Sequence, residues 1–330
     1  MPQGHYPRDQ ERESVRFGIL LPTRRLVMEG GRPGQFKEIV SLAQTAEHAR
    51  LDSVWVGDSL TAKPRLEPLS TLTAVAMETE RVRLGTAVLL PALRHPVHLA
   101  HQVATLDFIS GGRLILGAGV GGTFNEAQRT EWSHAGVNVR TRASRFEEVV
   151  EIVTRLTSGE TLDFDGEHFS LEGASIAPKS PQDGGVPFLI ASHWRAGRDV
   201  QFGRAARLGS GIISISDYPD EYAKVVGRVE HHTLLLSRDP AEIEKTFYMT
   251  VNLGPDAKES ATEADRFLKL YYGMNFWGDR WGPYGPAELT VERISKYREA
   301  GAETMIVRFA AFDQETQLHQ FLEDVVPNFA

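Results

Sequence analysis

The 330-residue chain contains no cysteine, so it has no disulfide framework, no thiolate metal site and no catalytic thiol. It has no apolar run of about 18 residues, the length a bilayer-spanning helix requires. Basic residues are not in excess: 36 Lys and Arg stand against 44 Asp and Glu, for a formal charge of −8. Nothing is therefore available to displace counterions from a phosphate backbone, and no nucleic-acid partner is expected. The first fifteen residues are polar and lack a continuous apolar core, so they read as a flexible arm and not as a signal peptide. A cytoplasmic protein is the economical expectation, with residues 16–330 as one domain. What is present, 41% hydrophobic and 24% charged residues, suffices for the core of a globular enzyme.

The chain is organised around residues 82–122. Val82–Leu90 is apolar and is stopped by Pro91, and Pro96 suits the first turn of a helix, where its missing N–H costs nothing. Leu99, Val103, Leu106 and Ile109 then recur at helical spacing. Ser110-Gly111-Gly112 ends that helix, and Arg113–Gly117 reads as a second buried strand. This is a βαβ unit, which joins parallel strands.

The same rhythm runs along the chain. Strands are expected at Arg16–Leu21, Ser53–Gly57, Pro187–Ala191, Gly211–Ile215, Phe247–Leu253 and Thr304–Phe309, with helices between them and a loop carrying Gly30-Gly31 and Pro33-Gly34 directly after the first strand. One of these helices is expected to start near Arg195. The stretch after Gly122 reads as polar and irregular, and Asp165-Gly166 between alternating apolar residues marks a hairpin. Eight strand–helix repeats predict a (β/α)8 TIM barrel with insertions after strands four and seven. Its site belongs at the C-terminal ends of the strands.

Several strand-end residues are candidates, each with a plainer alternative. Gly117–Gly122 contains GxGxxG but opens no apolar helix, so a dinucleotide fingerprint is disfavoured. Its glycines either let a planar ring approach bare backbone or only make a turn. Ser192-His193-Trp194-Arg195-Ala196-Gly197-Arg198 is placed to hold a phosphate through helix-terminal amides and guanidinium groups; otherwise Ser192 simply caps a helix. Asp58 either accepts hydrogen bonds from a polar ring edge or caps the next loop. His95 is either an acid/base near neutral pH or a solvated loop residue. His98 and His101 lack the carboxylate or thiolate that would complete a metal set, so no metal is expected. The aromatic run 271–285 fits a lid over an apolar ligand or a subunit interface.

Together these pieces resemble the bacterial luciferase-like flavin monooxygenases. The likeness is sharpest at RHPVHLAHQVATLDFISGGRLILGAGVG (Arg94–Gly121), with FGILLP (Phe17–Pro22), SVWVGD (Ser53–Asp58), LDFDGEHFSL (Leu162–Leu171) and PFLIAS (Pro187–Ser192) in support. The resemblance implies a barrel mouth that holds FMN or the deazaflavin F420. The ring would lie near Gly57, Asp58, Thr86, Ala87, Gly119 and Val120, and the phosphate at Ser192, His193, Arg195, Ala196 and Gly197. It also implies a non-proline cis bond near Thr86–Val88. Many members carry a proton-transferring His directly after the strand-two Asp; here that position is Ser59, so either His95 or His193, with Asp58, is the catalytic candidate, or the chemistry does not need that proton transfer.

The function this resemblance implies is a two-component monooxygenase. It would use reduced FMN from a flavin reductase, together with O2, to oxidise a small, fairly apolar substrate. One alternative is F420-dependent hydride transfer, with Arg195, Arg198 and Arg24 available for the long anionic tail of that cofactor; another is a flavin-binding protein without catalysis. The family often forms homodimers or homotetramers, and helices at Leu69–Thr79 and Pro96–Ile109 are plausible contact faces.

Overall fold

A computed structural model describes residues 15–275 and 278–329. The expected arm, but for Val15, lies outside these residues, as do Phe276 and Trp277 of the aromatic run. In chain order, β1 (Arg16–Leu20) leads to α1 (Thr23–Met28) and α2 (Phe36–His48). Next come β2 (Ser53–Val56), α3 (Pro68–Ala76), β3 (Arg83–Leu89) and α4 (Pro96–Ser110). β4 (Leu114–Ala118) is followed by α5 (Glu126–His134), α6 (Arg142–Thr157), β5 (Leu162–Asp165) and β6 (Ser170–Ala174). Then come β7 (Phe188–Ala191), α7 (Val200–Leu208), β8 (Gly211–Ile215) and α8 (Pro219–Leu235). β9 (Glu244–Leu253), α9 (Ala257–Tyr272), the short β10 (Tyr284–Gly285), α10 (Ala287–Glu299), β11 (Thr304–Phe309) and α11 (Gln314–Gln320) complete the series.

Eight parallel strands close into a ring in the order β9-β11-β1-β2-β3-β4-β7-β8, with β8 pairing back onto β9. This is the expected (β/α)8 barrel. The insertions fall where expected, after the fourth barrel strand (α5, α6 and the antiparallel β5–β6 hairpin) and after the seventh (α9, β10 and α10). Pro96 occupies the first turn of α4, and Gly111 ends that helix with φ +70°, a conformation that favours glycine. No helix among the described residues is long and apolar enough to cross a membrane.

Three local expectations are corrected. The stretch after Gly122 is not irregular, because α5 forms there: Asn125 caps it by accepting from the Gln128 N–H at 3.0 Å, and Trp132 is buried beneath it. The helix after β7 starts at Val200 and not near Arg195. Trp194–Ala196 makes a short 3-10 turn that Gly197, at φ +64°, breaks off. The loop after β1 contains α1, which carries Arg24.

Inside the ring, Leu20, Trp55, Ile115, Leu189, Ile213, Tyr248 and Ile306 form a packed core. A Cβ on Gly85 would lie 2.1 Å from the Trp55 ring, so the indole fits only against a bare backbone. At the strand starts, Arg83 bridges Asp52 at 2.8 Å and Glu244 at 2.9 Å, and Thr304 donates to Glu244 at 2.9 Å. Burial works to raise the Glu244 carboxyl, but Arg83 and Arg16 outweigh it and hold the group at about 2. A carboxylate depressed in the folded state stabilises fully above its unfolded pKa, near 4.3, and loses that contribution as pH falls toward 2. Glu244→Gln should therefore cost about 3 kcal/mol at pH 7. Urea unfolding at pH 7 and pH 3 checks this: the gap between the two proteins should narrow in acid, and a pH-independent gap would contradict it.

Candidate active site

Parallel barrels place their chemistry where strands run into loops at the C-terminal rim. At this rim Ala87, Val88, Ala191 and Ile215 remain only partly buried above the interior core. The Ala87–Val88 peptide is cis, within the expected Thr86–Val88 window. Thr86 is buried and donates to the Gly117 carbonyl at 2.8 Å, which ties β3 to β4 just below the rim. A Cβ at Gly119 would meet Val88 Cγ2 at 3.0 Å and Ala191 Cβ at 3.5 Å, so glycine keeps this part of the floor flat. Gly121, at φ +84° against Trp132, serves a turn, and Val120 beside it is half-buried. These small side chains and the bare glycine keep this part of the rim apolar and flat.

Across β2, the Asp58 carboxylate is fully engaged. Arg94 donates to both of its oxygens, at 2.6 and 3.0 Å, and the Leu90 N–H adds a third bond at 2.9 Å. In this structure Asp58 locks the β2 and β3 loops together. Gly57 beside it leaves room for the Arg65 guanidinium, whose Nη1 lies 2.0 Å from where a Cβ would stand. Ser59, which stands where many relatives have histidine, donates to Glu131 of α5 at 2.6 Å and accepts from the Lys63 N–H at 2.9 Å. The N–H groups of Thr61 and Ala62 also donate to Glu131. Burial raises this carboxyl, but the Ser59 hydroxyl and the loop amides together bring it below its usual range. One buried acid from an unforeseen helix thus shapes the whole β2 loop.

His95 does not reach the floor through any contact described. It is exposed at the start of α4, edge-on to His98 and Phe169, both 5.6 Å away. A cavity of about 320 Å³ lined by Val97, His98, His101 and 175–177 opens on this outer side of the barrel and includes no rim residue. No group of three or more His, Cys, Asp or Glu among the described residues could hold a metal.

His193 is placed differently. Gln201 of α7 clamps its backbone, accepting from His193 N and donating to His193 O, both at 2.9 Å. Its Nδ1 lies 3.3 Å from Ser214 Oγ, and Ser214 lies 2.7 Å from buried Asp217. Because the Ser214 hydrogen goes to Asp217, the short contact requires Nδ1–H to donate to Ser214, leaving Nε2 as an acceptor. The other tautomer would take only the longer 3.5 Å bond from the Ile215 N–H. Burial lowers the His193 pKa and Asp217 partly opposes it, which on balance favours the neutral ring.

The expected phosphate turn is less open than the sequence suggested. Ser192 is buried, with its hydroxyl 3.4 Å from the Ile190 carbonyl. The N–H groups of His193, Trp194, Ala196 and Gly197 already donate within the protein, to Gln201, Asp217, His193 O and Trp194 O. What the turn presents to solvent is Arg195 and Arg198, both exposed. An anionic tail would meet side chains here in place of those four amides.

Sequence reasoning missed the opposite side of the rim. Arg308 of β11 is buried beneath a group of aromatic rings, its guanidinium carbon 4.4 Å from the Trp281 centroid, 5.2 Å from Tyr272 and 5.5 Å from Tyr248. It donates to Tyr272 Oη and, at 2.7 Å, to Thr250 Oγ1. Arg24 lies 4.8 Å from the Tyr271 ring and Lys63 lies 5.2 Å from the Tyr272 ring. Burial raises the Tyr272 phenol, but Arg308, Lys63, Arg65 and Arg24 together pull it below its ordinary range. The readable signal was Arg308 itself, a charge within the apolar strand TMIVRF, because Arg is rarely fully buried.

Comparison with known proteins bears on the family and the fold. The family model described as luciferase-like monooxygenase matches residues 15–317. An F420-dependent glucose-6-phosphate dehydrogenase of Amycolatopsis mediterranei is 30% identical over 323 residues, covering 88% of this chain and 94% of that protein. Among solved structures, monooxygenase RslO1 from Streptomyces bottropensis superposes with TM-score 0.82 at 22% identity, covering 96% of this chain and all of that one. An F420-dependent secondary alcohol dehydrogenase, solved with an F420–acetone adduct, gives 0.77 at 18% identity, covering 96% and 99%. At those identities the structural likeness speaks for the fold. The family match over nearly the whole chain says more: this protein belongs to the luciferase-like monooxygenase family and is an oxidoreductase.

Proposed function

We propose that the chain is an F420-dependent oxidoreductase that moves a hydride between the deazaflavin and a small-molecule substrate at the barrel rim. The observation that carries this reading is the near full-length relationship, at 30% identity, to a protein named for F420-dependent dehydrogenation. It displaces reduced FMN from first place among the two cofactors the sequence suggested. When bound, the deazaflavin supplies two-electron hydride chemistry. Val88, Ala191 and Gly119 would form the floor under its ring, with Gly57, Thr86, Ala87 and Val120 around it. Arg195 and Arg198, with Ala196 and Gly197 between them, would meet its anionic tail. His193 Nε2, backed by Ser214 and Asp217, would hold the proton exchanged with the substrate, a duty that exposed His95 and ion-paired Asp58 are poorly placed to perform.

The reduced-FMN monooxygenase, with O2 and a separate reductase, is the second reading, and Ser59 favours it. A hydroxyl held by Glu131 cannot buffer a proton near neutral pH as the imidazole found there in many relatives can. The non-catalytic flavin-binding alternative is not retained, because the family is one of oxidoreductases. A homodimer or homotetramer packed through α3 and α4 belongs to the same proposal, since Met77, Phe108 and Ile109 stay exposed there. Anaerobic incubation with F420 and a panel of alcohols and sugar phosphates separates the two enzymatic readings. The expected result is loss of the oxidised F420 absorbance without oxygen. Product formation that requires O2 and reduced FMN, with no F420 turnover, would overturn it.

A further inference from the structure

Arg24 from the β1 loop, Lys63 and Arg65 from the β2 loop and Arg308 from β11 converge on Tyr271 and Tyr272. Among the described residues, none of the four has a carboxylate within 4 Å. Glu131 acts on Lys63 from further off, and its Oε1 is already taken by Ser59 and the loop amides. Arg24 and Arg308 are only 6% and 2% exposed, and each has a buried nitrogen, Nη1 and Nε respectively, without a hydrogen-bond partner. Gathering like charges away from water is costly, and an aromatic face offsets only part of that cost. The chain as a whole is acidic, so this local excess of positive charge is a feature of the site and not of the composition.

We infer that Arg24, Lys63, Arg65 and Arg308 form an oxyanion subsite that holds a carboxylate or phosphate group of the substrate. The inference rests on the oxidoreductase reading above for the word substrate alone; the subsite itself stands on the four cations. It is separate from the phosphate turn after β7. In the ring, β3 and β4 lie between β2 and β7 on one side, and β8 and β9 between β7 and β11 on the other. The cofactor tail and the substrate anion would therefore enter from opposite sides of the rim, with the apolar floor between them. An anion arriving here meets forked donors that are already desolvated, which strengthens each charge-assisted bond.

Calorimetric titration of the cofactor-free protein with inorganic phosphate and, separately, with benzoate tests this. At least one probe is expected to bind saturably, with affinity at least tenfold weaker in Lys63→Met and in Arg24→Met at unchanged melting temperature. Tighter phosphate assigns a phosphate monoester, and tighter benzoate a carboxylate. Absence of saturable binding of both probes to the wild type, or equal affinity in wild type and both variants, overturns the subsite. F420 is titrated in parallel. Loss of F420 binding with intact oxyanion binding would defeat the cofactor reading and leave the subsite standing.

Discussion

Arg308→Gln is expected to lower kcat/KM on an oxyanion-bearing substrate by about 100-fold, mainly through KM, while leaving the ligand-free protein as stable as the wild type or more so. The activity loss follows from removing one charge-assisted bond in a desolvated site, worth about 2–3 kcal/mol. The stability effect has the opposite sign because Arg308 has no carboxylate partner among the described residues and is 2% exposed. Glutamine removes a buried charge that has no carboxylate against it, at the cost of the bond to Thr250, now 2.7 Å from Nη2. A function that strains the fold gives this signature. If Arg308 were a structural strut, the same substitution would cost about 3 kcal/mol or more, as breaking a buried charge network does. Denaturant unfolding beside steady-state kinetics decides between these outcomes.

Asp58→Ala is expected to destabilise the protein by about 3 kcal/mol, because it strands the Arg94 guanidinium and the Leu90 N–H together. Glu67, at 3.4 Å and on the exposed side, is too weak a substitute. Replacing both partners, Asp58→Ala with Arg94→Leu, should recover part of that loss, since no buried charge is then left alone. Urea unfolding of the three variants measures it. An Asp58 that worked mainly as a proton donor would instead lose turnover with stability intact, and the double variant would recover nothing.

The fold was legible because parallel barrel strands are buried on both faces and read as apolar runs. β8 and β11 have the bounds the sequence suggested, and Pro96 and Gly111 punctuate α4 as their backbone preferences require. What escaped was polar. α5 has few apolar residues, and its burial centres on Trp132, Gln128 and Glu131; Glu131 is useful only to a loop some seventy residues earlier. The late start of α7 follows from Gly197 in a left-handed turn, which no periodicity announces. Residues Gly57, Thr86, Ala87 and Gly119 were found because strand ends in a barrel are predictable. The cations at 63, 65 and 308 were not, and Arg24 was read only as a partner for an F420 tail, since only closure of the ring brings its first and last strands together. A glutamate that organises a loop and an arginine that waits for an anion look alike in sequence; their partners distinguish them.

The central claim is that the rim takes a deazaflavin. Side-by-side dissociation constants for F420 and FMN, measured anaerobically by fluorescence in both redox states, test it most directly. F420 should bind at least tenfold more tightly than FMN. A preference for reduced FMN, or no binding of F420 at all, would contradict it.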